Sequence, residues 1–201
     1  MKRVFIIAGL LPAIAGSLLA QNQSADCVLD RFLEDVKEAP ALQMDFLWNQ
    51  TAEGTLILQE NMFVVHLDEF HVYCNGREKW LYNQGIDEWE ELPHDAQAAG
   101  ILENPSAFFT QLRDGFYLSP ASVQKENPEG RSLWELNLVP YHNDSVFTWI
   151  ILQLEEDGLQ LRNIRYGLAD GTAYAVKLLS FETISARDPG FFTPNISLGM
   201  P

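Results

Sequence analysis

The sequence predicts a mainly β chain with a smaller share of α: one large, strongly curved antiparallel sheet, closed or half closed, with helices on one face. Three observations carry this. Roughly ten short runs rich in β-branched and aromatic residues are separated by turn-forming residues. Helical periodicity surfaces in two inserted stretches, without the strand–helix–strand alternation that builds parallel sheets. Phe70 to Tyr82 brackets Asn75-Gly76, a pair that accepts the positive φ angles of a type I′ turn, so it reads as a tight hairpin from which further strands extend. A sheet of that many strands curls, and a curled sheet can enclose a cavity.

Residues 1–20 start with Lys2 and Arg3, run on as an apolar stretch from Val4 to Leu11, break at Pro12 and finish in small residues. That is the layout of a secretory signal peptide. Cleavage is expected after Ala20 or within the Ala13–Ala15 stretch, with residues 21–201 forming one domain. The apolar run is too short to span a bilayer. Ser24 to Asp26 can cap a helix whose positions Val28, Leu29, Phe32, Leu33 and Val36 recur at three- and four-residue spacing before Pro40 stops it. Such a stripe has to lie against something apolar, and the sheet offers it.

Leu42 to Asn49, Thr55 to Leu58 and Met62 to Leu67 follow as strands; Asp68-Glu69 turns into the hairpin, and Trp89 to Leu92 adds a further edge. Asn104-Pro105-Ser106 opens a second helix, with proline in its first turn, that carries Phe108, Phe109 and Leu112 and ends near Gly115. Strands return at Phe116 to Leu118, Ser132 to Val139 and Ser145 to Glu155, then as hairpins through Leu159 to Tyr166 and Thr172 to Thr183. The prolines of Asp188 to Pro194 exclude a central strand.

At 201 residues and 47% hydrophobic the chain can bury one sizeable core. Its formal charge of −15 becomes −17 once Lys2 and Arg3 leave with the signal peptide. So acidic a surface repels phosphates, which argues against nucleic acid and against adhesion to anionic head groups. An exported chain permits a disulfide between Cys27 and Cys74, tying the first helix to the hairpin; two free thiols fit the sequence as well.

Groups with catalytic promise are sparse. If Asp68-Glu69 is a turn, His66 and His71 stand opposite one another, and two imidazoles beside an acidic turn have the makings of a zinc hydrolase site. Histidine pairs across strands are more often ordinary surface or packed residues. Asp87, Glu88, Glu90 and Glu91 bracket Trp89 in a run better suited to discouraging sheet-to-sheet aggregation than to acid–base work. No nucleophile elbow or phosphate-cradling glycine loop occurs. No catalytic residue, metal or cofactor is therefore assigned, and a non-enzymatic protein is expected.

Gly54-Thr-Leu with Phe63 nine residues on, Asn75 to Tyr82, Asn104-Pro-Ser-Ala-Phe-Phe109, Leu133 to Pro140, Asp170-Gly171 and Phe191-Phe-Thr-Pro194 fall in one order along the chain. In that order and spacing the sequence resembles the periplasmic outer-membrane lipoprotein carriers of LolA type. The resemblance implies a half-open β-barrel with a helical lid over a hydrophobic cavity. It implies a monomer that carries the acyl chains of lipoproteins from an inner-membrane release complex to an outer-membrane receptor, with no covalent chemistry. An exposed acyl chain costs about 0.8 kcal/mol per CH₂ in water, so crossing an aqueous compartment calls for an apolar container. A lipid-binding or envelope-stress-sensing module on the same fold is the alternative. The family has an Arg-Pro pair shortly before the residue matched to Phe63, and that arginine helps to hold the lid; here the position falls on Gln59 or Glu60.

For the cavity wall the candidates are Phe46, Trp48, Leu56, Leu58, Phe63, Val65, Trp80, Tyr82, Trp149 and Ile151 on strands, with Phe32, Phe108 and Phe109 on the helices. Residues of these types are more often plain core, and only apolar area beyond what packing needs favours a pocket. Trp80 and Tyr82 share parity, so they face the same side, where their rings would suit a cavity mouth.

Overall fold

The computed structural model describes residues 24–195 except 96, 97, 99 and 127–129; the expected signal peptide lies outside the described residues. Helix α1 (Ala25–Glu38) leads into strands β1 (Ala41–Trp48), β2 (Ala52–Gln59), β3 (Met62–Leu67), β4 (Phe70–Cys74), β5 (Lys79–Asn83) and β6 (Glu88–Leu92). Helix α2 (Pro105–Asp114) follows, then β7 (Phe116–Leu118), β8 (Val123–Glu126), β9 (Ser132–Pro140), β10 (Phe147–Glu155), β11 (Leu161–Leu168), β12 (Ala173–Ile184) and a 3₁₀ turn at Pro189–Phe192.

All the strands join one twelve-stranded sheet in the order β6-β5-β4-β3-β2-β1-β12-β11-β10-β9-β7, with β8 also on β9. Every pairing is antiparallel. The chain lays down a meander from β1 outward, crosses with α2, and returns so that β12 pairs β1 at the middle of the sheet. The ends β6 and β7 do not pair, so the sheet is open and not a closed barrel.

Both helices begin where their sequences place caps. Ser24 Oγ accepts from the Cys27 N–H at 3.3 Å, and Asn104 Oδ1 accepts from the Ala107 N–H at 3.2 Å. Each helix turns its apolar stripe to the sheet: Val28, Leu29 and Phe32 from α1 and Phe108, Phe109 and Leu112 from α2 are buried. They meet Leu42, Met44, Phe46, Leu56, Leu58, Phe63 and Val65 from one half of the sheet, and Leu136, Leu138, Ile150, Leu152, Ile164, Val176 and Leu178 from the other. Alternation along each strand makes this the inner face and leaves the residues between them on an outer face.

The hairpin around Asn75-Gly76 forms, but with a different turn. Gly76 has φ 86°, whereas Asn75 is not in the left-handed region, so the loop is not type I′. Residues 75–78 form the connection, with Asn75 Oδ1 accepting from the N–H groups of Arg77 at 3.0 Å and Glu78 at 2.9 Å. The short asparagine side chain does locally what a second left-handed residue would have done. Strand β8 is an addition to the expected set; all four of its residues are exposed, so it has no alternation to announce it.

The C-terminal segment crosses the outer face. Gln59 accepts from the Arg187 N–H at 2.7 Å and donates to the Arg187 carbonyl at 3.2 Å, and the 3₁₀ turn packs on β3. Val64, Trp80 and Phe192 are buried apart from the main core.

Candidate binding groove

Beneath the helices the space is filled. Phe32 and Phe109 meet edge to face at 6.2 Å, Phe108 meets Phe147 at 6.1 Å, and Phe147 meets Tyr166 at 5.4 Å. Phe32, Phe46, Leu56, Leu58, Phe63, Val65, Phe108 and Phe109, all expected on a cavity wall, are buried in this inner core, and Trp48 packs against its margin. They are brought together, but against one another.

The room lies on either side of α1. Between α1, α2 and the β1–β2 rim is a groove of about 750 Å³, its floor formed by Leu33, Val36, Ala39, Leu42, Leu58 and Phe109. On the other side a hollow of about 680 Å³ is lined by Phe32, Val36, Pro40, Leu42, Leu159 and Phe181 among others. Val36, Glu38, Ala39 and Leu42 belong to both. The last turn of α1 is therefore the partition between them. Both volumes fall in the range of small-molecule sites.

The mouth of the larger groove is charged. Asp30, Glu34, Glu38, Glu60 and Asp114 face Lys37 and Arg113, an acidic surplus. Arg113 of α2 reaches Asp30 of α1 at 2.8 Å. An apolar floor with a charged rim suits an amphiphile whose tail goes in and whose head stays in water.

Four expected wall residues lie elsewhere. Trp80 and Tyr82 do share a face, but it is the outer one: Trp80 pairs with Tyr73, which pairs with Val64, and Tyr82 pairs with His71, which pairs with His66. Trp80 is buried on that face, and Tyr82 is half-buried, donating its hydroxyl to Asp87 at 2.9 Å. Trp149 and Ile151 alternate with the buried Ile150 and Leu152, so they also face outward. The indole of Trp149 lies over Gly167, its cross-strand partner, where a β-carbon would collide with it. Gln59 shares this outer parity, which removes it from the helices altogether.

Cys27 is exposed on α1 and Cys74 is buried on β4, and both thiols are free. The Cys74 sulfur lies 3.7 Å from His94 Nδ1, and burial pushes its thiol pKa up. His66 and His71 face each other as expected, with rings stacked at 4.2 Å. Among the described residues no group of three or more His, Cys, Asp or Glu is placed to hold a metal ion. No helix among them is long and apolar enough to cross a membrane. Sequence reasoning missed Asp30 and Arg113, since nothing local joins residues 83 positions apart; Leu33 and Val36 were visible in the α1 stripe.

No family model and no curated protein matches the chain. Among solved structures it is similar to an uncharacterized conserved protein from Thermus thermophilus, with a TM-score of 0.53 at 14% identity over 86% of this chain and 94% of that one. The two share a fold. Two slighter likenesses carry names from the family that the sequence resembles. One is an outer membrane lipoprotein-sorting protein domain from Vibrio parahaemolyticus, with 9% identity, 84% and 98% of the two chains covered and a TM-score of 0.45. The other is a LolA superfamily protein from Nitrosomonas europaea, with 9% identity, 83% and 98% covered and a TM-score of 0.39.

Proposed function

We propose that residues 21–201 form a periplasmic carrier domain that takes the acyl chains of a lipoprotein into the groove between α1 and α2 and hands them to a membrane acceptor without covalent chemistry. The observation that supports this is the partition: the final turn of α1 alone separates two hollows with apolar linings. A shift of that turn away from Leu42 joins them into one trough along the inner sheet. The aromatic core closes the trough when it is empty, so no large apolar surface meets water before cargo arrives. Each CH₂ buried returns about 0.8 kcal/mol, and part of that offsets the cost of moving the helix. Binding is then tight enough to cross water and loose enough to release. The ordered sequence resemblance supplies the cargo class and the partners, an inner-membrane release complex and an outer-membrane receptor.

One observation favours a second reading. The lid arginine of the family aligns with Gln59 or Glu60, and neither is a cation: Gln59 is engaged on the opposite face, and Glu60 stands at the mouth of the groove. That suits a lipid-binding or envelope-stress-sensing module that captures an acyl chain and keeps it.

Two measurements test the proposal. Titration with a triacylated lipopeptide should quench or shift the fluorescence of a probe on α1, and a soluble peptide of the same sequence should not. Depletion of the protein should leave lipoproteins stranded at the inner membrane. Binding without any effect of depletion selects the second reading, and failure to bind the lipopeptide removes both.

A further inference from the structure

The net charge of this chain conceals a segregation. Of its thirteen Lys and Arg residues two lie in the first three positions, and of the remaining eleven five collect at one place: Lys125, Arg131, Arg162, Arg165 and Lys177. Four of them line a hollow of about 530 Å³ on the outer face of β8 to β12, on the side of the sheet away from the helices, and Arg165 reaches Glu135 on its floor.

The floor of this hollow is built. Glu135, with 11% of its side chain exposed, is held by Lys125, by Gln153 donating at 2.8 Å and by Arg165 at 3.5 Å. Burial alone would raise its pKa, but these partners bring it below the usual carboxylate value. Glu155, 15% exposed, takes Arg162 at 2.8 Å and Arg131 at 2.9 Å, and its pKa is lowered by those guanidinium groups. Asn163 continues the row, donating to Gln153 at 2.8 Å, and Lys177 stands beside it across the next strand pair. Each buried carboxylate is thus shared by two cations. Lys177 has no ion-pair partner among the described residues, and Glu126 is the remaining acid in the lining. The surplus is positive in a chain that is otherwise strongly acidic. Charge-assisted donors arranged in a concavity match the tetrahedral oxygens of a phosphate.

We propose that this outer-face hollow binds a phosphate group, supplied either by a lipid head group or by a free phosphate, as a site separate from the acyl groove. The donors above Glu135 and Glu155 place such an anion against Lys177. Head-group binding at this face would set the carrier with its convex side to a membrane and its groove free.

The test uses the mature chain at low ionic strength. Inorganic phosphate is titrated calorimetrically, and vesicles of phosphatidylglycerol or phosphatidylcholine are sedimented with the protein. Phosphate should bind more tightly than chloride. Lys177→Gln should weaken it about tenfold, the loss of one charge-assisted contact; Lys37→Gln, at the acyl groove, should leave it unchanged. Sedimentation with phosphatidylglycerol, lost in Lys177→Gln, assigns the site to head groups; binding of phosphate without sedimentation assigns it to a free phosphate. Equal effects of phosphate and chloride, or binding untouched by Lys177→Gln, overturn the proposal.

Discussion

Arg113 on α2 and Asp30 on α1 meet at 2.8 Å across the mouth of the larger groove, so the two helices are clasped by an ion pair directly above an apolar floor. Both side chains are about half exposed, and exposed pairs contribute under about 1 kcal/mol. The clasp therefore adds little to global stability, but it is well placed to govern entry. Arg113→Ala should shift the unfolding free energy by less than about 1 kcal/mol while accelerating uptake of a fluorescent lipopeptide in stopped-flow mixing. An unchanged rate would show that the pair plays no part in access.

Val36 lines both hollows from the last turn of α1. Val36→Trp fills the partition with an indole, and overpacking of this kind costs about 1–3 kcal/mol. The indole removes the space for a tail. Affinity for a triacylated lipopeptide should fall about tenfold, the equivalent of about 1.4 kcal/mol. Calorimetry checks the affinity and a urea titration checks the fold. An affinity that survives would move the acyl site out of these grooves.

Gln59 holds the backbone of Arg187 with both halves of its amide. Gln59→Arg places the family's residue type at one of the two positions it aligns with, yet the side chain leaves on the outer face, away from α1 and α2. It should loosen the C-terminal segment by about 1 kcal/mol, the net worth of a hydrogen bond, and expose Trp80 to quenching by acrylamide. Lipopeptide uptake should not change. If uptake slows as a lid clasp would make it slow, the assignment of Gln59 to the outer face is wrong.

The strand spans other than β8 and both helix starts were legible because they rest on local signals: alternation, caps at Ser24 and Asn104, and turn residues. The face of a strand was not. Period two states that Trp80 and Tyr82 share a side and that Trp149 and Ile151 do, but which side meets the helices depends on pairing with strands remote in sequence. Phe63 and Val65 settle that face for β3, and register then carries Tyr82 and Trp80 to the other. The filled interior was hidden for a related reason. An aromatic on the inner face has one composition whether it lines a void or meets Phe109, and only the placement of the helices decides. The Arg113–Asp30 clasp and the cations gathered around Glu135 are likewise products of tertiary placement.

His66 and His71 stack at 4.2 Å across the β3–β4 hairpin. His66 is exposed at the surface, but partial desolvation of its ring against the hairpin lowers its pKa below 6.5, and the neighbouring His71 lowers it further. The folded chain therefore holds this proton less firmly than the unfolded one does. Above 6.5 both states have His66 neutral and its contribution is intact. As the pH falls through that value the unfolded chain takes up the proton first, and stability is lost until the folded-state pKa is passed. Urea midpoints should fall between about pH 7.5 and 5.5, and by less in His66→Gln, with the difference isolating this site from the other histidines. His71→Gln should reduce the pH dependence without abolishing it, because desolvation is the larger cause. A His66→Gln variant with the wild-type pH profile would mean that the hairpin accommodates both charges, and that the stacked pair is indifferent to protonation.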